Sequence, residues 1–194
     1  GPDRLRKLHA EVLRALGFEP EPQPLTVERA GRDHEITVAF AERATGHGIL
    51  AIECGWAADT DAANDPTDAG RLLDPVILDS TERIDTGAKL ASWLFATENP
   101  PRYVLILNGG VITLADRAVW GEGRYLAVSL DIAFGRNEDR ELDVIAALFG
   151  ADSLRPPAEG ANLAVAFSGA LAPEAATAMG ELLRHFPGAG LLAV

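Results

Sequence analysis

Apolar residues at the start of the chain recur with helical spacing. Leu5, Leu8, Val12, Leu13 and Leu16 share one stripe, Asp3 is placed to cap it and Gly17 to stop it, which predicts a helix over residues 3–16. Three prolines among residues 19–24 then predict an extended connector. Beyond it the period shortens to two. Ile36, Val38 and Phe40 alternate with Thr37 and Ala39, predicting a strand over 35–41; a second strand is expected over 49–54, with Gly46 and Gly48 in the turn. Residues 57–70, rich in Ala, Asp, Asn and Thr, are expected to form an exposed loop, and the apolar run 71–79 to pack on the core. Ile84, Ala88, Ala91 and Phe95 return to helical spacing and predict a helix over 81–96. Residues 103–107 and 111–114 form the arms of a predicted hairpin about Asn108-Gly109-Gly110, followed by a strand over 125–130 and a helix over 138–148.

These elements predict an α/β domain over residues 3–157, a mixed central sheet flanked by helices. After Arg155-Pro156-Pro157 the chain becomes rich in Ala and Gly, and residues 158–194 are expected to form a small α-rich tail or subdomain, with a helix over 173–185 opened by Pro173.

Composition narrows the function classes. At 194 residues and 47% hydrophobic content the chain can bury a substantial core, and it contains no apolar run of membrane-spanning length. No signal peptide opens it. One cysteine, Cys54, excludes an internal disulfide framework, and four dispersed histidines lack metal-binding spacing, so any metal would rest on carboxylates. A reducing cytoplasm fits. Gly1-Pro2 matches the scar left by a site-specific protease, which would make the chain an excised piece of a longer one. The net charge of −12, with 17 basic against 29 acidic residues, opposes sequence-independent DNA binding by the chain as a whole. Basic residues nonetheless gather locally: Arg4, Arg6, Lys7 and Arg14 on the first helix, and Arg117, Arg124, Arg136 and Arg140 around the later strands.

Four constellations bear on chemistry. In nucleases of the PD-(D/E)XK type, an acid on one strand and an acid-x-Lys on the next hold magnesium, which clamps the scissile phosphate and activates water. Here Asp33 or Glu35 and then Glu53 occupy successive strands, with Glu11 on the first helix as a third ligand. The motif's lysine is replaced by Gly55, so a nuclease would need Lys89 to migrate into that role. Asn99-Pro100-Pro101 resembles the adenine-binding Asn-Pro-Pro-Tyr of methyltransferases, but Arg102 stands in the aromatic position and no glycine-rich cofactor loop accompanies it. Trp120, Arg124 and Arg117 offer an aromatic and cations to DNA, against the simpler reading that Trp120 covers a sheet edge while Arg124 pairs with a carboxylate. Ser168-Gly169 and His185 in the tail lack the frame of a nucleophilic serine.

The stretch PRYVLILNGGVITLADRAVWGEGRYLAVSL, within residues 100–154, resembles the region upstream of large bacterial adenine-specific DNA methyltransferases of type IIG restriction-modification, BREX and DISARM defence systems. Such regions often carry a nuclease domain. The resemblance therefore implies a nuclease-like fold, degenerate here because the lysine is absent, that organises protein or DNA contacts without turnover. The implied partners are a downstream methyltransferase domain, other defence-complex subunits or duplex DNA, and magnesium only if the nuclease is active. A divalent-metal DNA endonuclease is the alternative, and an acidic interaction or DNA-mimic domain the third reading.

Overall fold

A computed structural model of the chain describes residues 1–130 and 139–155. The expectations for residues 158–194, including the helix over 173–185, Ser168, Gly169 and His185, lie outside the described residues, as does Arg136.

The described residues form an α/β fold with a mixed, seven-stranded central sheet. Helix α1 (Pro2–Ala15) leads to a separate two-stranded hairpin of β1 (Gln23–Arg29) and β2 (Arg32–Val38). At Ala39 the chain crosses into the large sheet as β3 (Phe40–Glu42), antiparallel to β4 (Ile49–Ala57). There follow β5 (Arg71–Ile77), β6 (Arg83–Thr86), α2 (Gly87–Leu94), β7 (Tyr103–Gly109), β8 (Val111–Asp116), β9 (Leu126–Ser129), α3 (Asp139–Phe149) and α4 (Ala151–Leu154). The strand order is β6-β5-β4-β7-β8-β9, with β3 on β4 off that path. Among the described residues only β4 and β7 pair in parallel, and α2 lies on the connection between them.

Strand parity divides the core into two layers. Ile49 and Ala51 of β4, with Tyr103, Leu105 and Leu107 of β7, face one cluster shared with Val12, Leu13 and Leu16 of α1 and with Ile145, Leu148 and Phe149 of α3. Leu50, Ile52 and Cys54, with Val104 and Ile106, face the other, built with Leu25, Val27, Ile36 and Val38 of the hairpin and Leu90, Ala91 and Leu94 of α2. Each such aliphatic side chain contributes about 1.5–3 kcal/mol on burial, so the stripe of α1 is held mainly by its apolar residues.

Three expectations are corrected. The proline-rich connector ends earlier than predicted, because Leu25 and Val27 alternate inward and give β1 its buried face. The helix over 81–96 is instead β6 followed by α2: residues 83–86 pair with β5, and Thr86 caps the helix by accepting from the Lys89 backbone N–H. The loop 57–70 is not wholly exposed, since Ala57, Ala63 and Ala69 are buried with Val111 around a short 3-10 turn at Ala62–Asn64.

Candidate functional site

Glu53 lies near the carboxyl end of β4, on the face that α1 covers, and is 9% exposed. His9 of α1, fully buried, places Nδ1 2.9 Å from Glu53 Oε1, while its Nε2 is 2.8 Å from the Gly109 backbone nitrogen at the end of β7. A backbone N–H can only donate, so Nε2 accepts and Nδ1 carries the ring proton, which it donates to the carboxylate. Glu53 Oε2 lies 3.7 Å from Arg6 Nε, and the same guanidinium donates to Asp74 of β5 at 2.7 Å. One helix thus delivers a neutral imidazole and a cation to a single buried carboxylate. The pairing stabilises a charge that would otherwise be costly to bury.

The position of the missing lysine is tight: a Cβ on Gly55 would lie 3.3 Å from both the Ala69 Cα and the Asp68 carbonyl oxygen, so a side chain there requires that main chain to give by a few tenths of an ångström. Cys54, beside it, faces the opposite layer; burial is the largest influence on its thiol and pushes it from 9.0 up to about 12. Asn108, also fully buried, donates through Nδ2 to the carbonyls of Ala69 at 2.7 Å and Ala63 at 3.3 Å, tying the 57–70 loop to the end of β7.

The other nuclease-type candidates do not join Glu53. Asp33 and Glu35 are exposed residues of β2, on the parity opposite to inward-facing Ile36 and Val38, and their hairpin packs on the sheet face away from Glu53. Lys89 is exposed on α2, which covers that same far face. Glu11 shares α1 with His9 but is exposed. Among the described residues, no three His, Cys, Asp or Glu side chains gather as a metal-ligand set. The expected set of Glu53, Asp33 and Glu11, and the catalytic set of Glu53, Asp33, Glu35 and Lys89, are therefore spread over both layers of the fold.

The residues considered for DNA contact have internal partners. Arg117 donates to the carbonyls of Pro100 at 2.7 Å, Pro101 at 3.1 Å and Gly46 at 3.3 Å, strapping two loops together. Trp120 donates from Nε1 to Ser92 Oγ at 2.8 Å and meets the rings of Phe95 and Tyr125. Arg124 is exposed and lies 3.4 Å from Glu122. Asn99-Pro100-Pro101 runs into β7, where Arg102 pairs with Asp116 at 2.8 Å. Of the remaining tryptophans, Trp93 is buried under His34 and Arg29 of the hairpin, whereas Trp56 is 52% exposed.

Sequence reasoning missed His9 and Asp74, grouped Arg6 only with the basic residues of the first helix, and read Asn108 only as a turn residue. A signal for His9 was available: it interrupts the apolar stripe of α1, four residues after Leu5 and three before Val12. Among the described residues no helix is long and apolar enough to cross a membrane. No family model, curated protein or solved structure matches the chain.

Proposed function

We propose that the chain is a non-catalytic, degenerate nuclease-like module of a bacterial restriction or methylation defence system, and that it organises protein or DNA contacts. The observation that carries the non-catalytic part is the engagement of both Glu53 oxygens by α1, with His9 at 2.9 Å and Arg6 at 3.7 Å. A nuclease carboxylate must turn its oxygens toward magnesium and substrate. Here a helix covers the carboxylate, and glycine with main chain close beside it stands at the lysine's position. The nuclease-like part draws on the order of elements: a helix, strands carrying an acid at a strand end, then a helix leading to a strand parallel to the acid-bearing one. The defence-system assignment, with a methyltransferase domain or another subunit as partner, draws on the resemblance of residues 100–154.

Plasmid DNA incubated with magnesium or manganese tests the reading. Neither the native chain nor Glu53→Ala is expected to cut. Cutting by the native chain and not by the variant would establish the endonuclease alternative and overturn the proposal.

A further inference from the structure

Resting on the reading of the chain as an organising module, we propose that the carboxyl end of β4 and the loop after it form a docking surface for a cationic, arginine- or lysine-rich protein segment, anchored on Trp56. Among the described residues Trp56 and Ile77 are the only large hydrophobic side chains left exposed, and Trp56 is the aromatic one. Its ring lies against Gly109, where a Cβ would fall 2.8 Å from Cζ3 and 3.0 Å from Cδ2, so only glycine lets the indole settle on the strand end. An exposed tryptophan offers a large contact area while only two side-chain torsions need ordering, which is the property of an interface anchor.

Charge selects the occupant. The loop that leaves Trp56 carries Asp59, Asp61, Asp65 and Asp68, all exposed, and residues 44–70 contain neither lysine nor arginine. Asp59 and Asp65 accept hydrogen bonds from their own loop, but none of the four is ion-paired to another described residue. Asn108 ties the acidic loop to the strand end on which the indole lies: it holds the Ala63 and Ala69 carbonyls, and its neighbour Gly109 lies beneath the indole. An exposed indole at the base of an acidic loop attracts guanidinium or ammonium groups through cation–π and Coulomb terms that reinforce each other. The same carboxylates repel nucleic-acid phosphate, and the net charge of −12 opposes pairing with a second copy.

The test is a fluorescence-anisotropy titration of a fluorescein-labelled octa-arginine peptide. It compares the native chain with Trp56→Ala, the triple variant Asp59→Asn/Asp61→Asn/Asp68→Asn, and a charge-matched control on the hairpin, Glu28→Gln/Asp33→Asn/Glu35→Gln. Affinity should fall roughly tenfold in each of the first two and less than roughly threefold in the control. No binding by the native chain, full binding by Trp56→Ala, or equal losses in the two triple variants would overturn the surface; the last two would reveal general attraction to an acidic protein. A second readout needs no peptide. In the difference between native and Trp56→Phe emission, the ratio of caesium to iodide quenching should exceed that of free N-acetyltryptophanamide, and a lower ratio would also overturn the proposal. Plasmid cleavage is read separately, so failure here leaves the non-catalytic reading standing or falling on its own result.

Discussion

His9 accepts the Gly109 backbone N–H through Nε2 at 2.8 Å and holds Glu53 through Nδ1 at 2.9 Å, so one neutral ring joins α1 to the ends of both parallel strands. The ring is fully buried, and it is the link between its two partners, the Gly109 N–H and the Glu53 carboxylate. His9→Ala should therefore leave a buried donor and a buried carboxylate short of partners, at a cost of about 2–4 kcal/mol in urea unfolding. A loss below about 1 kcal/mol would mean that the apolar stripe of α1 alone seats the helix.

Cys54 should be silent to thiol reagents. Its burial holds the group protonated up to about 12, and a thiol, unlike a thiolate, is a poor nucleophile. The native chain at pH 8 is expected to leave DTNB unreacted until denaturant is added. The sign of the linked stability follows from the raised value. Below the ordinary 9.0 both folded and unfolded chains keep the proton; between 9.0 and about 12 only the folded chain keeps it, so stability declines through that window. Cys54→Ala should flatten that alkaline decline in a urea series from pH 8 to 11.

The large sheet was legible because its strands carry strong local patterns: continuous apolar runs in β4 and β7, and a Gly109-Gly110 turn that joins paired Asn108 and Val111. What misled was overlap of periods. Ile84 and Ala88 stand four apart, as on a helix, yet Ile84 pairs with Val76 across an antiparallel edge and Ala88 lies beyond the Thr86 cap. Pairing with β5 is a long-range fact that spacing along residues 81–96 does not encode. The site was half legible for the same reason. Glu53 stands out as an acid within an apolar strand, whereas its partner His9 is 44 residues away and becomes visible only once α1 docks. Asp33 and Glu35 looked plausible because they precede Glu53 on strands. The crossing at Ala39 sends their hairpin to the other face.

Gly87 opens α2 directly over Cys54. A Cβ there would lie 2.6 Å from Cys54 Sγ and 2.9 Å from Ile106 Cγ2, both in the tightly filled layer beneath the helix. Gly87→Ala is expected to cost about 1–3 kcal/mol through overpacking, although alanine favours a helix. Cys54→Ala removes the nearer atom and leaves the Ile106 contact. The double variant should therefore recover part of the loss, giving a coupling of about 0.5–2 kcal/mol in a urea double-mutant cycle. Strict additivity would show that α2 shifts to relieve the contact.

The β1–β2 turn offers a change in the opposite direction. Arg29 pairs with Arg32 across two residues, Ala30 and Gly31, whose φ angles are 52° and 72°. Two positive φ values in a two-residue loop make a type I′ turn, whose twist matches the hairpin but whose first position disfavours alanine. Among the described residues Ala30 alone is a non-glycine with positive φ. Asparagine populates this region more readily, and Asn-Gly is the favoured pair for the turn. Ala30 is exposed, so no packing is lost on substitution. Ala30→Asn should raise stability by about 0.5–1 kcal/mol, seen as a higher urea midpoint at unchanged slope. Because the hairpin covers the face of β4 away from Glu53, octa-arginine affinity and the lack of DNA cutting should both stay as in the native chain. An unchanged or lowered midpoint would mean that Ala30 does not hold positive φ in the folded protein.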